Sequence, residues 1–209
     1  MANLEPVSQD DPRIINDTEA FITKNLYPVI VGVIIILAAA CAFTWWIATQ
    51  KASEGKANAL YATAKTTEEK QKLLQTYPQS GAAALTLIDL AQAELTTKNY
   101  AAAITHYQLF LKTFPQHPVA GLVELSLAIT LENSGNKTEA QAAYAKIVSA
   151  KPEHAFVGAA SIGLARLYLQ ENKLLAARQT LSDFIASHED DSVTNEAREM
   201  LNTLPPAIK

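Results

Sequence analysis

A single cysteine, Cys41, occurs in 209 residues, so the chain has no intrachain disulfide and no cysteine cluster for a metal. Glycine is sparse, at seven residues, and none of them builds a phosphate-cradling loop or a G-x-S-x-G nucleophile turn. Positive charge is not in excess. The formal net charge is −4, and from Lys51 onward 15 Lys plus Arg face 16 Asp plus Glu, a balance of −1. Nucleic-acid binding needs a basic footprint, and recruitment by anionic lipid needs a polybasic cluster; this balance supplies neither. The four histidines, His106, His117, His154 and His188, lack HExxH spacing and a cysteine partner. No Ser or Thr stands in a motif that would activate its hydroxyl. These absences predict no enzyme, no cofactor, no metal site and no small-molecule substrate.

One long apolar run is present. Residues 29–48, VIVGVIIILAAACAFTWWIA, form twenty positions without a charge between Lys24 and Lys51. At about 1.5 Å rise per residue such a helix is about 30 Å long, the thickness of a bilayer's hydrocarbon core. Tyr27 lies at one end and Trp45 and Trp46 at the other, where aromatic rings favour the headgroup level. Pro28 suits a first helical turn, because its missing N–H has no partner there anyway. The run is too long for an ordinary signal peptide and is preceded by a polar stretch. Ala38-Ala39-Ala40-Cys41 loosely resembles a lipoprotein cleavage box, but Leu37 stands one place too early and the chain stays apolar after the cysteine. Cys41 therefore reads as a small apolar residue inside a transmembrane helix. The cations around the run, Arg13 and Lys24 before it and Lys51, Lys56 and Lys65 after it, weakly favour the C-terminal side as cytoplasmic.

The remainder repeats itself. Ala91, Ala128 and Ala165 are 37 residues apart, as are Ala103, Ala140 and Ala177; Tyr107, Tyr144 and Leu181; Phe110, Ile147 and Phe184; and Pro78, Pro115 and Pro152. Each unit reads as two amphipathic helices joined by a turn at Lys98-Asn99-Tyr100, Gly135-Asn136-Lys137 or Asn172-Lys173-Leu174, with Pro closing the second helix. Small residues at fixed steps let two helices cross closely, and the large residue four positions on fills the space beside the crossing. A lone hairpin cannot bury its stripe, so the units must stack. The pattern predicts an all-α right-handed solenoid. It resembles the tetratricopeptide repeat, whose small residue, Ala, aromatic and Pro classes match units counted from Ala84, Gly121 and Gly158. The third unit departs from it, with Leu181 for the aromatic and Glu189 for the Pro.

The domain organisation that follows is a tail with a short amphipathic helix at 1–25, a transmembrane helix at 26–50, a helical extension and first partial repeat at 51–80, three repeats at 81–191 (about 84–120, 121–157 and 158–191), and a capping helix with tail at 192–209. Together with the stretch AFITKNLYPVIVGVIIILAAACAFTWWIATQKASEGKANALYATA, this organisation resembles the bacterial family of ancillary Sec-translocon subunits, single-span inner-membrane proteins with a periplasmic tetratricopeptide-like domain. The resemblance implies a cytoplasmic N-terminus, a periplasmic repeat domain, and as partners the translocon, periplasmic chaperones and exported chains; the alternative is a scaffold for an envelope or outer-membrane assembly complex. In such solenoids the first helices line the concave face. By repeat position the candidate peptide contacts are Gln92 and Thr96, Glu132 and Asn133, and Arg166 and Gln170, with Leu95, Ile129 and Leu169 alongside.

Overall fold

A computed structural model describes Lys24 and residues 27–150, 154–188 and 193–205. Among these residues there are nine helices and no strand. The expected amphipathic helix in the tail, Pro152 and the acidic Glu189-Asp190-Asp191 lie outside the described residues. The chain divides into two compact units, Met1–Gly55 and Lys56–Lys209.

Helix α1, Tyr27–Thr63, carries the apolar run. It is long and apolar enough to cross a membrane, and none of its most apolar window is buried in the protein. Thr44 and Thr49 fold back on the helix: Thr44 Oγ1 donates to Cys41 O at 2.9 Å and Thr49 Oγ1 to Trp46 O at 2.8 Å. This satisfies each hydroxyl within the helix, without water.

The second unit begins with the last turns of α1, where Ala57 is buried with Leu73, Ala82 and Ala83. Helix α2, Thr67–Thr76, starts with a capping box in which Thr66 and Glu69 each accept the other's backbone N–H. Three hairpins follow: α3, Gly81–Thr96, with α4, Tyr100–Thr113; α5, Ala120–Asn133, with α6, Lys137–Val148; and α7, Val157–Gln170, with α8, Leu174–Ser187. Helix α9, Thr194–Thr203, packs Ala197 with Val193, Met200 and Leu201 against Leu181 and Phe184 of α8. It covers the apolar face that a terminal repeat otherwise leaves open.

The alanine ladders sit at the helix crossings. Ala91, Ala128, Ala165, Ala103, Ala140 and Ala177 are all completely buried. Tyr107, Tyr144 and Leu181, and Phe110, Ile147 and Phe184, are buried beside them. Every hairpin thus uses the same small-plus-large arrangement, and the three buried clusters are joined through half-buried Leu127 and Tyr168.

The turns are also copies of one another. Among the described residues Lys98, Gly135 and Asn172 are those of positive φ, at 59°, 83° and 59°. In each turn the following N–H reaches back to the last turn of the first helix, Asn99 to Glu94 O at 2.9 Å, Asn136 to Leu131 O at 3.0 Å and Lys173 to Tyr168 O at 2.8 Å. These are Schellman motifs, which satisfy helix-terminal carbonyls and reverse the chain in three residues. Only Gly135 occupies the left-handed position without steric cost.

Candidate functional site

The candidate site is a stripe on the first helices. Leu85, Asp89, Gln92 and Thr96 follow one another at i, i+4, i+7 and i+11 on α3. The same spacing gives Leu122, Ser126, Ile129 and Asn133 on α5, and Ala159, Gly163, Arg166 and Gln170 on α7. Such spacing puts four residues on one face of a helix. Gln92, Thr96, Asn133, Arg166 and Gln170 are exposed, and Glu132 is half-buried. Thr96, Asn133 and Gln170 form one row at the repeat step, three neutral side chains that can hydrogen-bond an extended backbone. Leu95 and Leu169 are half-buried, while Ile129 is exposed in the same row as Gln92 and Arg166.

Two exposed leucines, Leu85 and Leu122, extend the stripe toward the helix starts. They are 37 residues apart, and the sequence reading missed them. The signal that would have found them is an apolar residue at a repeat position that the alanine ladder does not bury.

The structure brings two of the candidates together. Arg166 Nε donates to Glu132 Oε1 at 2.7 Å and Arg166 Nη2 to Glu132 Oε2 at 2.9 Å. Tyr144 Oη donates to the same Oε2 at 2.8 Å. This joins α5, α6 and α7 through one carboxylate. Burial works to raise the Glu132 carboxyl, but the hydrogen bonds from Arg166 and Tyr144 outweigh it and hold the group below its usual value. The carboxylate raises Arg166 in turn. Burial first, and then the bond to Glu132, push the Tyr144 phenol well above its ordinary value. Glu132 and Arg166 therefore present a fixed, mutually neutralised surface, and the remaining polar candidates, Gln92, Thr96, Asn133 and Gln170, are uncharged.

The Tyr144 position belongs to a recurring junction. The second-helix residue and the residue nineteen places on, in the next first helix, meet in successive repeats. Lys70 Nζ stands 3.4 Å from Asp89 Oδ2, which also accepts from Tyr61 Oη at 2.9 Å. Tyr107, raised by burial, lies against the Ser126 hydroxyl. Tyr144 lies on Gly163. The junction changes from an ion pair to a tyrosine–serine contact to a tyrosine passing over a glycine, at constant register.

A second charged group lies between α5 and α6. Glu124 accepts from Lys146 Nζ at 2.7 Å and lies 3.0 Å from His154 Nε2. The Phe156 N–H donates to His154 Nδ1 at 3.1 Å, so Nδ1 is the acceptor nitrogen and Nε2–H the donor toward Glu124. Burial works to raise Glu124, but Lys146 and His154 hold it below its usual value. His117, one repeat earlier, accepts the Val119 N–H at 3.4 Å in the same way. Both imidazoles hold the entry into a first helix.

The Ser187–His188 pair is not arranged as a catalytic relay. Ser187 Oγ lies 2.9 Å from His188 Nδ1, but that nitrogen is also 3.0 Å from Phe184 O. A nitrogen that donates to a carbonyl cannot take the serine proton. Among the described residues no group of three His, Cys, Asp or Glu stands close enough to hold a metal ion.

In comparison with known proteins, a family model described as a tetratricopeptide repeat-like domain matches residues 19–199. No curated protein matches the chain.

Proposed function

The chain belongs to the tetratricopeptide repeat-like domain family, and from that premise we propose that it is a membrane-anchored protein-binding module whose first-helix stripe receives segments of other proteins. Domains of this family are typically non-catalytic protein-interaction modules. The observation that carries the reading is the stripe itself: exposed Leu85 and Leu122 in step at 37 residues, the neutral Thr96, Asn133 and Gln170 in step at 37 residues, and exposed Ile129 between them. Apolar contacts give affinity, and neutral hydroxyl and amide groups hydrogen-bond a backbone without selecting a charge, which suits diverse clients.

On this reading α1 crosses the inner membrane, the tail is cytoplasmic and the repeats face the periplasm. The resemblance to ancillary Sec-translocon subunits favours that orientation, although the lysines after the span weakly favour the reverse. The clients are exported chains or the chaperones that receive them, beside the translocon. Anchoring raises the local concentration of the domain at an exit site to roughly millimolar, so a short groove of modest affinity suffices.

The test is purification of the full chain from membranes in mild detergent, with protease shaving of intact and permeabilised cells in parallel. A transient client-binding factor is recovered with several partners below stoichiometry, and the repeats are cut only once the outer barrier is opened. A single partner at one-to-one stoichiometry supports instead the scaffold of an envelope assembly complex. Repeats cut only after the inner membrane is opened overturn the periplasmic placement.

A further inference from the structure

A groove lies away from the first-helix stripe, between the second helices α6 and α8 with α7 as its floor. Its cavity is about 430 Å³, walled by Val148, Val157, Tyr168 and Phe184, with Ser161 and Asp183 among its polar lining. The preceding repeat has the corresponding groove, about 280 Å³, lined by Leu111, Ala120, Glu124 and Lys146. A step of 37 carries these four onto Val148, Val157, Ser161 and Asp183. The two grooves are therefore one feature in two versions.

The versions differ in what fills them. In the earlier groove Lys146 spans the gap from α6 to Glu124 of α5 at 2.7 Å. In the later groove Glu124 has become Ser161 and Lys146 has become Asp183. The shorter Ser161 side chain leaves space at the floor, and its fully buried hydroxyl has no hydrogen-bond partner. Buried hydroxyls without a partner are rare and costly. Asp183 takes the place of the cation; its Oδ1 accepts from Gln179 Nε2 at 2.6 Å, and among the described residues no cation pairs with it. The last repeat thus has an apolar-walled cleft with a carboxylate at its lip where its neighbour has a built-in lysine.

We propose that this groove is a second docking site, for a partner polypeptide segment that presents a lysine or arginine flanked by apolar side chains. The basic group takes the place that Lys146 holds one repeat earlier and pairs with Asp183, while the flanking residues lie against Val148, Val157 and Phe184. The cavity is in the size range that holds a few side chains. The site is independent of the first-helix stripe and acts whether or not that stripe binds clients.

The test uses the full chain in detergent and two labelled hexapeptides, one with a central lysine between leucines and one with norleucine in the lysine's place. Fluorescence anisotropy gives the affinities. The lysine peptide is expected to bind at least about tenfold more tightly than the norleucine peptide. Asp183→Asn should erase that difference. The double variant Ser161→Glu with Asp183→Lys rebuilds the ion pair of the earlier groove and should bind neither peptide; where it does not fold, Asp183→Asn decides alone. Equal binding of the two peptides, a preference for lysine that survives Asp183→Asn, or no binding at millimolar peptide overturns the proposal.

Discussion

The Tyr144 ring lies on Gly163 so closely that a Cβ at residue 163 would stand 2.6 Å from the ring's Cζ. Tyr144 is buried, and its hydroxyl is held by Glu132 at 2.8 Å, so the ring cannot swing aside. Gly163→Ala should destabilise the detergent-solubilised chain by about 2 kcal/mol, the usual cost of overpacking a filled core. Leu181 occupies the tyrosine position one repeat later, so leucine fits that register. Tyr144→Leu should therefore relieve the alanine: the double variant should lose clearly less than the sum of the singles. Additive losses by thermal unfolding would mean that the two sites do not press on each other.

The Glu132–Arg166 pair predicts a pH dependence with a definite sign. The folded state holds Glu132 below its usual 4.5. Its contribution is therefore fully present above that value, and is lost as the pH falls through the lowered folded value. Arg166→Ala leaves a half-buried carboxylate without its charged donor and should cost about 2 kcal/mol at pH 7. The gap between variant and parent should narrow as the pH falls through the depressed value. Urea unfolding of both chains at pH 7 and below pH 4 measures it. A gap that widens in acid has the wrong sign for this assignment.

The hairpin turns offer a stabilising change. Lys98 holds φ 59° where the equivalent residue one repeat later is Gly135 at φ 83°. A side chain in the left-handed region costs about 1 kcal/mol, part of which glycine returns through greater freedom in the unfolded chain. Lys98→Gly should raise the melting temperature by a few degrees, and Asn172→Gly by less, because asparagine tolerates this region better than lysine. A lower melting temperature for Lys98→Gly would show that the turn depends on the lysine side chain.

The alanine ladder predicts strong intolerance. Ala128 and Ala140 are completely buried where α5 and α6 cross. Leucine at either position forces the helices apart and should cost about 3 kcal/mol, the upper end of overpacking penalties. Leucine at Ala142, exposed on α6, should cost under about 0.5 kcal/mol. Circular dichroism melts of the three variants check it; equal behaviour would place the ladder outside the core.

The fold was legible because it is periodic. One step of 37 residues marks the alanines, their large neighbours and the turns, and each class has a single physical reason. The geometry of the candidate site was legible only in part. Gln92, Thr96, Asn133 and Gln170 are exposed at their repeat positions, but no local pattern shows that Glu132 is spent on Arg166, 34 residues away across two helices. Leu85 and Leu122 escaped because an exposed leucine and a core leucine look alike until the packing assigns the faces. The emptied groove at Ser161 and Asp183 is visible in the sequence only after the structure shows that Glu124 and Lys146 pair.

The most direct test of a membrane-moored protein-binding stripe is a photocrosslinking scan in native membranes, with a photoreactive residue placed in turn at Gln92, Asn133 and Gln170 on the first helices and at Gln108 and Ala142, exposed second-helix positions that do not line the α6–α8 groove. The account predicts adducts to other polypeptides from the first three and few or none from the last two. Adducts from the second-helix positions alone, or only to lipid from all five, would contradict it.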